Sequence, residues 1–120
     1  MFSFQKVFCL FLLISSYLVS NAQNYQLSQL ISFGGISKDM MTHSTIDADG
    51  NIFITGKFFE TVHLGNDSLI SSGNSDMFLV KMDQNMNIVW AKRAGGIGED
   101  WGNRVFVTSS AVYVVGTFSD

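Results

Sequence analysis

The sequence predicts an all-β fold built from short antiparallel strands in a repeat of about sixty residues. Three observations predict it. A Gly-Gly segment recurs in register. Hairpin-type turn signals break the chain every few residues, and helical periodicity is absent after residue 22 beyond short ambiguous runs.

The first 22 residues read as an export signal rather than as part of the fold. Lys6 is their only charge, Val7 to Val19 is a nearly unbroken apolar run, and Ser20-Asn21-Ala22 supplies small residues before a cut. The run is too short to cross a hydrocarbon core, which needs ~20 residues. Cys9, the sole cysteine, lies inside it, too early for a lipoprotein cleavage site. The mature chain is therefore expected to begin near Gln23, with no disulfide to support it and no stable membrane span. All ten acidic side chains and six of the seven basic ones lie beyond residue 22, a net charge of −4. That balance suits solubility and argues against nucleic acid as a partner.

After a lead-in over residues 23–32 the chain is organised by an internal repeat. Phe33-Gly34-Gly35-Ile36-Ser37-Lys38-Asp39 matches Ala94-Gly95-Gly96-Ile97-Gly98-Glu99-Asp100 at an offset of 61 residues. The match runs through Ile46 and Val107. One residue then drops out, and Ile54-Thr55-Gly56-Lys57-Phe58 matches Val114-Val115-Gly116-Thr117-Phe118 at an offset of 60. Residues 33–94 form the first repeat and 95–120 a partial second.

Within the repeat a first strand is expected over about Met41 to Ile46. Asp47-Ala48-Asp49-Gly50 ends it, because Gly50 supplies a positive φ and the aspartates bond nearby backbone. The second strand, Asn51 to Phe58, is apolar on both faces, with Ile52 and Ile54 on one and Phe53 on the other, as in a strand held between packed sheets. The polar connection Glu60 to Ser75 holds Val62, Leu64, Leu69 and Ile70, enough for a small extra hairpin. A third strand spans Asp76 to Met82, with Phe78, Val80 and Met82 on one face. After the turn Asp83 to Asn87, a fourth spans Ile88 to Arg93, with Ile88 and Trp90 expected on one side. Four short strands per unit at a fixed period is the pattern of a propeller blade.

These residues resemble the β-propeller repeats of the SBBP type, found in secreted and cell-surface proteins of Bacteroidetes-like bacteria. The resemblance rests on GGISKD (34–39), DADGNIFITGKF (47–58), SDMFLVKMD (75–83), IVWAKRAGGIGED (88–100) and VYVVGTF (112–118). It implies a multi-bladed propeller, often in a long chain with a C-terminal sorting domain, and no catalytic residue. Two departures are visible: too few repeats to close a ring and no sorting domain. The turn Thr108 to Ala111 has also lost the Asp-x-Asp-Gly form. About one and a half blades would leave sheet faces and edges open. The expectation is an incomplete propeller, a fragment or an obligate assembler, with self-association through open blade edges.

No residue set points to a catalytic, cofactor or metal site. Gly95 to Asp100 resembles one unit of a calcium-binding nonapeptide, but that chemistry needs tandem copies nine residues apart. Trp101 stands where a dinucleotide fingerprint needs its third glycine. Asp47, Asp49 and Asn51 alternate like a calcium loop, yet the glycine falls fourth and Phe58 twelfth, so a hairpin turn is favoured. His43 and His63 have no ligand spacing and read as surface or strand-edge residues. Ser44 and Ser68 lack a nucleophile elbow. Trp90, Trp101, Phe53 and Phe78 could form a sugar-stacking platform, but blade core is favoured. Asn66-Asp67-Ser68 is a formal glycosylation triplet, uninformative in a bacterial setting. The functional expectation is a secreted or cell-surface scaffold or binding module for a protein or glycan. The alternative is a fragment of a propeller enzyme whose catalytic residues lie in blades not present here.

Overall fold

A computed structural model describes residues 34–120. The expected signal (1–22), the lead-in (23–32) and Phe33 lie outside the described residues. The strands are β1 (Gly34–Gly35), β2 (Met40–Ile46), β3 (Ile52–Phe58), β4 (Thr61–Leu64), β5 (Asp67–Ile70), β6 (Asp76–Met82), β7 (Ile88–Ala94), β8 (Trp101–Val107) and β9 (Val112–Thr117). The described residues are all-β and every strand pairing is antiparallel.

The largest sheet has the order β2-β3-β6-β7, a meander interrupted only by the expected small hairpin, β4–β5, which pairs with β1 in a second sheet. The hairpin β8–β9 forms a third. Alternation along β3 and β6 gives the meander two apolar faces. On the back face Ile54, Phe58, Phe78, Val80 and Met82 bury against Val62 and Leu64 of the small hairpin. On the front face Phe53, Met77 and Leu79 bury against Val105, with Val107, Val112 and Val114 packed alongside. Fully burying each large side chain contributes about 1.5–3 kcal/mol. The meander is thus sandwiched between two smaller sheets, and β8 lies across β2 and β3.

One expected detail is wrong. Ile88 and Trp90 do not share a side: Ile88 packs on the back cluster and Trp90 on the front one. The register steps from Lys81↔Trp90 to Met82↔Ile88, leaving Val89 as an unpaired bulge residue that reverses the alternation.

The two copies of the repeat share their backbone construction. Met41↔Gly56 is followed by His43↔Thr55, which leaves Thr42 as a bulge. In the second copy Gly102↔Gly116 is followed by Arg104↔Val115, and Asn103 takes the same place. Gly56 lies against the Met40 carbonyl and Gly116 against the Trp101 carbonyl, so neither has room for a Cβ. The missing residue also has a structural cause. The first turn places Gly50 at φ 81°. The second copy omits that left-handed residue and closes with a bond from Thr108 N–H to the Ala111 carbonyl, 2.9 Å long.

Candidate functional site

The Gly-Gly-x-x-x-Asp segment is the most elaborated polar structure in the chain, and it is built twice. In the first copy Asp39 Oδ2 accepts the Gly35 N–H at 2.6 Å, and Oδ1 accepts the Phe59 N–H at 3.3 Å. In the second copy Asp100 Oδ2 accepts the Gly96 N–H at 2.6 Å, and Oδ1 accepts the Ser119 N–H at 2.9 Å. Each carboxylate ties the entry of its copy to the end of that copy's second strand. Both of its oxygens take backbone donors that the tight loop leaves without strand partners.

Asp100 also joins the two copies. Its N–H donates to the Ser75 carbonyl at 2.8 Å, and the Gly98 carbonyl accepts the N–H groups of Asn74 and Ser75. Beside this joint lies a buried ion pair that sequence reasoning missed. Arg93 donates to Asp76 Oδ2 at 2.5 Å, while the Ser71 hydroxyl and Ser72 N–H donate to Oδ1 at 2.8 and 3.1 Å. Asp76 is fully buried, whereas Arg93 stays 38% exposed along its side chain. The available signal was a single acid opening an apolar strand and a single arginine ending the next. Every acceptor site of these carboxylates that can be assigned faces a protein donor, so the cluster ties the joint together.

The aspartate turns are also a repeated device. Asp47 Oδ1 accepts the N–H groups of Asp49 and Asn51 at 3.0 and 2.8 Å, and Oδ2 accepts the Asn51 amide at 2.8 Å. Asp83 makes the same three bonds to Asn85 and Asn87 at 2.8, 2.8 and 2.9 Å. The Asn51 amide, foremost, holds the Asp47 carboxyl below its ordinary value, and the Asn87 amide does the same for Asp83. Both carboxylates are engaged with their own turns, in keeping with the hairpin reading.

The other singled-out residues are dispersed. Half-buried His43 accepts the Val105 N–H on Nδ1 at 3.3 Å and lies 6.5 Å from the Phe106 ring. Exposed His63 bonds Ser68 Oγ at 2.9 Å across the small hairpin. The four aromatics do not form one platform. Phe78 belongs to the back core, and Phe53 meets Trp90 edge-on at 6.1 Å on the front. Trp101 is covered by the Lys57 ammonium, 5.0 Å from its centroid. The hydroxyl of Thr42 lies within bonding distance of the Thr55 and Gly102 carbonyls, 3.1 Å from the former, and stitches the meander to β8.

The turns Asp47–Asn51 and Asp83–Asn87 sit together, with Gly50 against Gln84. Thr108 and Ser109 line a cleft with Ile46 to Asp49. Leu64 to Asp67 line a second cleft with Met86, Asn87 and Ile88. Four turns therefore gather at one end of the sheets. Comparison with protein-family models, with curated proteins and with solved structures found no match.

Proposed function

We propose that the chain is an exported, non-enzymatic module of SBBP-type propeller blades that engages a protein or glycan through the turns at one end of its sheets. The observation that carries this reading is the stacking of two copies that share register, bulge, glycine contacts and aspartate ties. Sheets that repeat by a fixed step and bury apolar faces on one another belong to quasi-one-dimensional architectures such as blades. In such folds the rigid sheets form the scaffold and recognition falls to the loops. The turn end of this chain displays exposed Asp49, Asn66 and Gln84 on tight hairpin turns. Export rests on the apolar run Val7 to Val19 and the small residues before Gln23.

The test has two parts. An expressing bacterium is fractionated, and the exported chain is expected to begin at Gln23 by mass spectrometry. That protein is then applied to arrays of glycans and bacterial surface proteins beside a triple variant, Asp49→Arg, Asn66→Arg and Gln84→Arg. Binding that the variant loses while keeping its melting temperature supports the module. Retention of the first 22 residues in a cytoplasmic product refutes export. Equal binding by both proteins refutes the turn end as the contact surface.

A further inference from the structure

We infer that the free edge of β9 is an acceptor for one extended strand, laid antiparallel, that carries the β6 pattern and belongs to a separate polypeptide. β8–β9 is the counterpart of β2–β3 by register and bulge. In the first copy β3 is paired on both edges, by β2 and by β6. In the second copy β9 is paired only by β8 among the described residues, so a row of backbone donors and acceptors stands open.

The side chains beside that edge suit cover. Phe106, Tyr113 and Val115 are 49%, 56% and 59% exposed. Their counterparts Thr45, Phe53 and Thr55 lie on the covered front face of the meander, where Phe53 and Thr55 are buried. The open face of the second copy is therefore at least as apolar as the covered face of the first. Phe118 repeats the contrast: it is 58% exposed, whereas its counterpart Phe58 is fully buried against Phe78 of β6 and the small hairpin.

The first copy also supplies the register. Phe53↔Lys81, Ile54↔Val80, Thr55↔Leu79 and Gly56↔Phe78 pair β3 with β6. Carried over by the repeat offset, a bound strand places lysine opposite Tyr113, leucine opposite Val115 and phenylalanine opposite Gly116. Strand addition of this kind takes affinity from main-chain bonds and selectivity from alternate side chains. This inference goes beyond the proposed binding function and rests only on the equivalence of the two copies, so it survives if export or turn-end binding fails.

The probe is a synthetic peptide of residues Ser75 to Asp83, SDMFLVKMD, titrated against the full chain beside a scrambled peptide. The ordered peptide is expected to bind and to protect amides of Val112–Thr117 from hydrogen exchange, and the scrambled one to do neither. Val115→Glu sets a carboxylate opposite leucine and should weaken binding about fivefold, the upper end of one cross-strand pair. Tyr113→Glu sets a carboxylate opposite lysine and should change it less than about twofold. No binding, equal losses in the two variants, protection confined elsewhere, or a chain dimer paired β9 to β9 would each overturn the inference.

Discussion

Replacing Asp100 by alanine tests the joint between the two copies. The side chain is 1% exposed and accepts two backbone N–H groups at 2.6 and 2.9 Å. Hydrogen bonds to a charged group contribute about 1.5–3 kcal/mol each. Both donors belong to exposed residues, Gly96 and Ser119, so water can replace part of the loss. Removing the charge also ends the cost of burying it. The expected net loss is therefore near the lower end, about 2–3 kcal/mol. For a domain of this size that lowers Tm by roughly 8–24 °C, at about 4–8 °C per kcal/mol. Asp39→Ala is the internal control. Its second bond is longer, 3.3 Å against 2.9 Å, and its side chain is half-buried, so it should lose about 1 kcal/mol. Urea melts of the two variants, read by tryptophan fluorescence and by circular dichroism, compare them directly. A loss in Asp39→Ala equal to or greater than that in Asp100→Ala would refute the assignment of Asp100 as the tie between copies.

Four further outcomes are expected. Gly56→Ala drives a methyl into the Met40 carbonyl and the Phe78 ring and should cost about 1–3 kcal/mol by thermal melting, with Gly116→Ala acting in the same direction. Arg93→Met leaves Asp76 buried with only its serine-segment donors and should cost about 2–3 kcal/mol, less than a fully buried pair because Arg93 is partly exposed. Ser75 is fully buried and its Oγ has no hydrogen-bond partner among the described residues, so Ser75→Ala should be neutral or stabilise by up to about 1 kcal/mol in urea. Asp47 and Asp83 are held below the ordinary 3.8, so their contribution is whole above that value and lost as pH falls through the lowered folded values. The urea midpoint should therefore drop below about pH 4, and Asn51→Ala with Asn87→Ala should flatten that drop.

Much of the fold was legible because its periodicities are short. The bounds of the third strand, Asp76 to Met82, come directly from an apolar run set between two turn signals, and the small hairpin comes from four apolar residues between glycines. The equivalence of the copies was legible as an offset of 61 that becomes 60, and the structure places that change in the turn that lacks a left-handed residue. Trp90 was misplaced because a bulge is a backbone event with no composition of its own: Val89 looks like any strand valine. The ion pair was hidden for a different reason. Asp76 and Arg93 are seventeen residues apart and meet only because β6 and β7 pair as a hairpin, so the contact is written in register and not in spacing. Met86 escaped notice too. It stands at φ 66° in the place Gly50 holds in the first turn, and its packing on the back core offsets the backbone cost.

The distribution of the aspartates explains why the repeat keeps its form while its sequence drifts. Asp47, Asp83, Asp39 and Asp100 each satisfy local backbone donors, at turns in two cases and at the Gly-Gly segments in the other two. None of them depends on which side chain lies across the sheet. Thr108 shows how loosely the turn device is specified: its hydroxyl accepts the N–H groups of Ser110 and Ala111, doing with one oxygen and no charge what Asp47 does with two. The Gly-Gly segment has less latitude. Gly95 leaves no room for a Cβ between Asp100 and Asp76, and Gly98 leaves none beside Ser119, so the loop must lie close against both copies at once. A turn only reverses a strand and can be rebuilt from any short polar residue. The joint has to fix where one sheet stands on another. That constraint is why the Gly-Gly segment and its aspartate recur unaltered while the first-strand turn lost a residue and its charge.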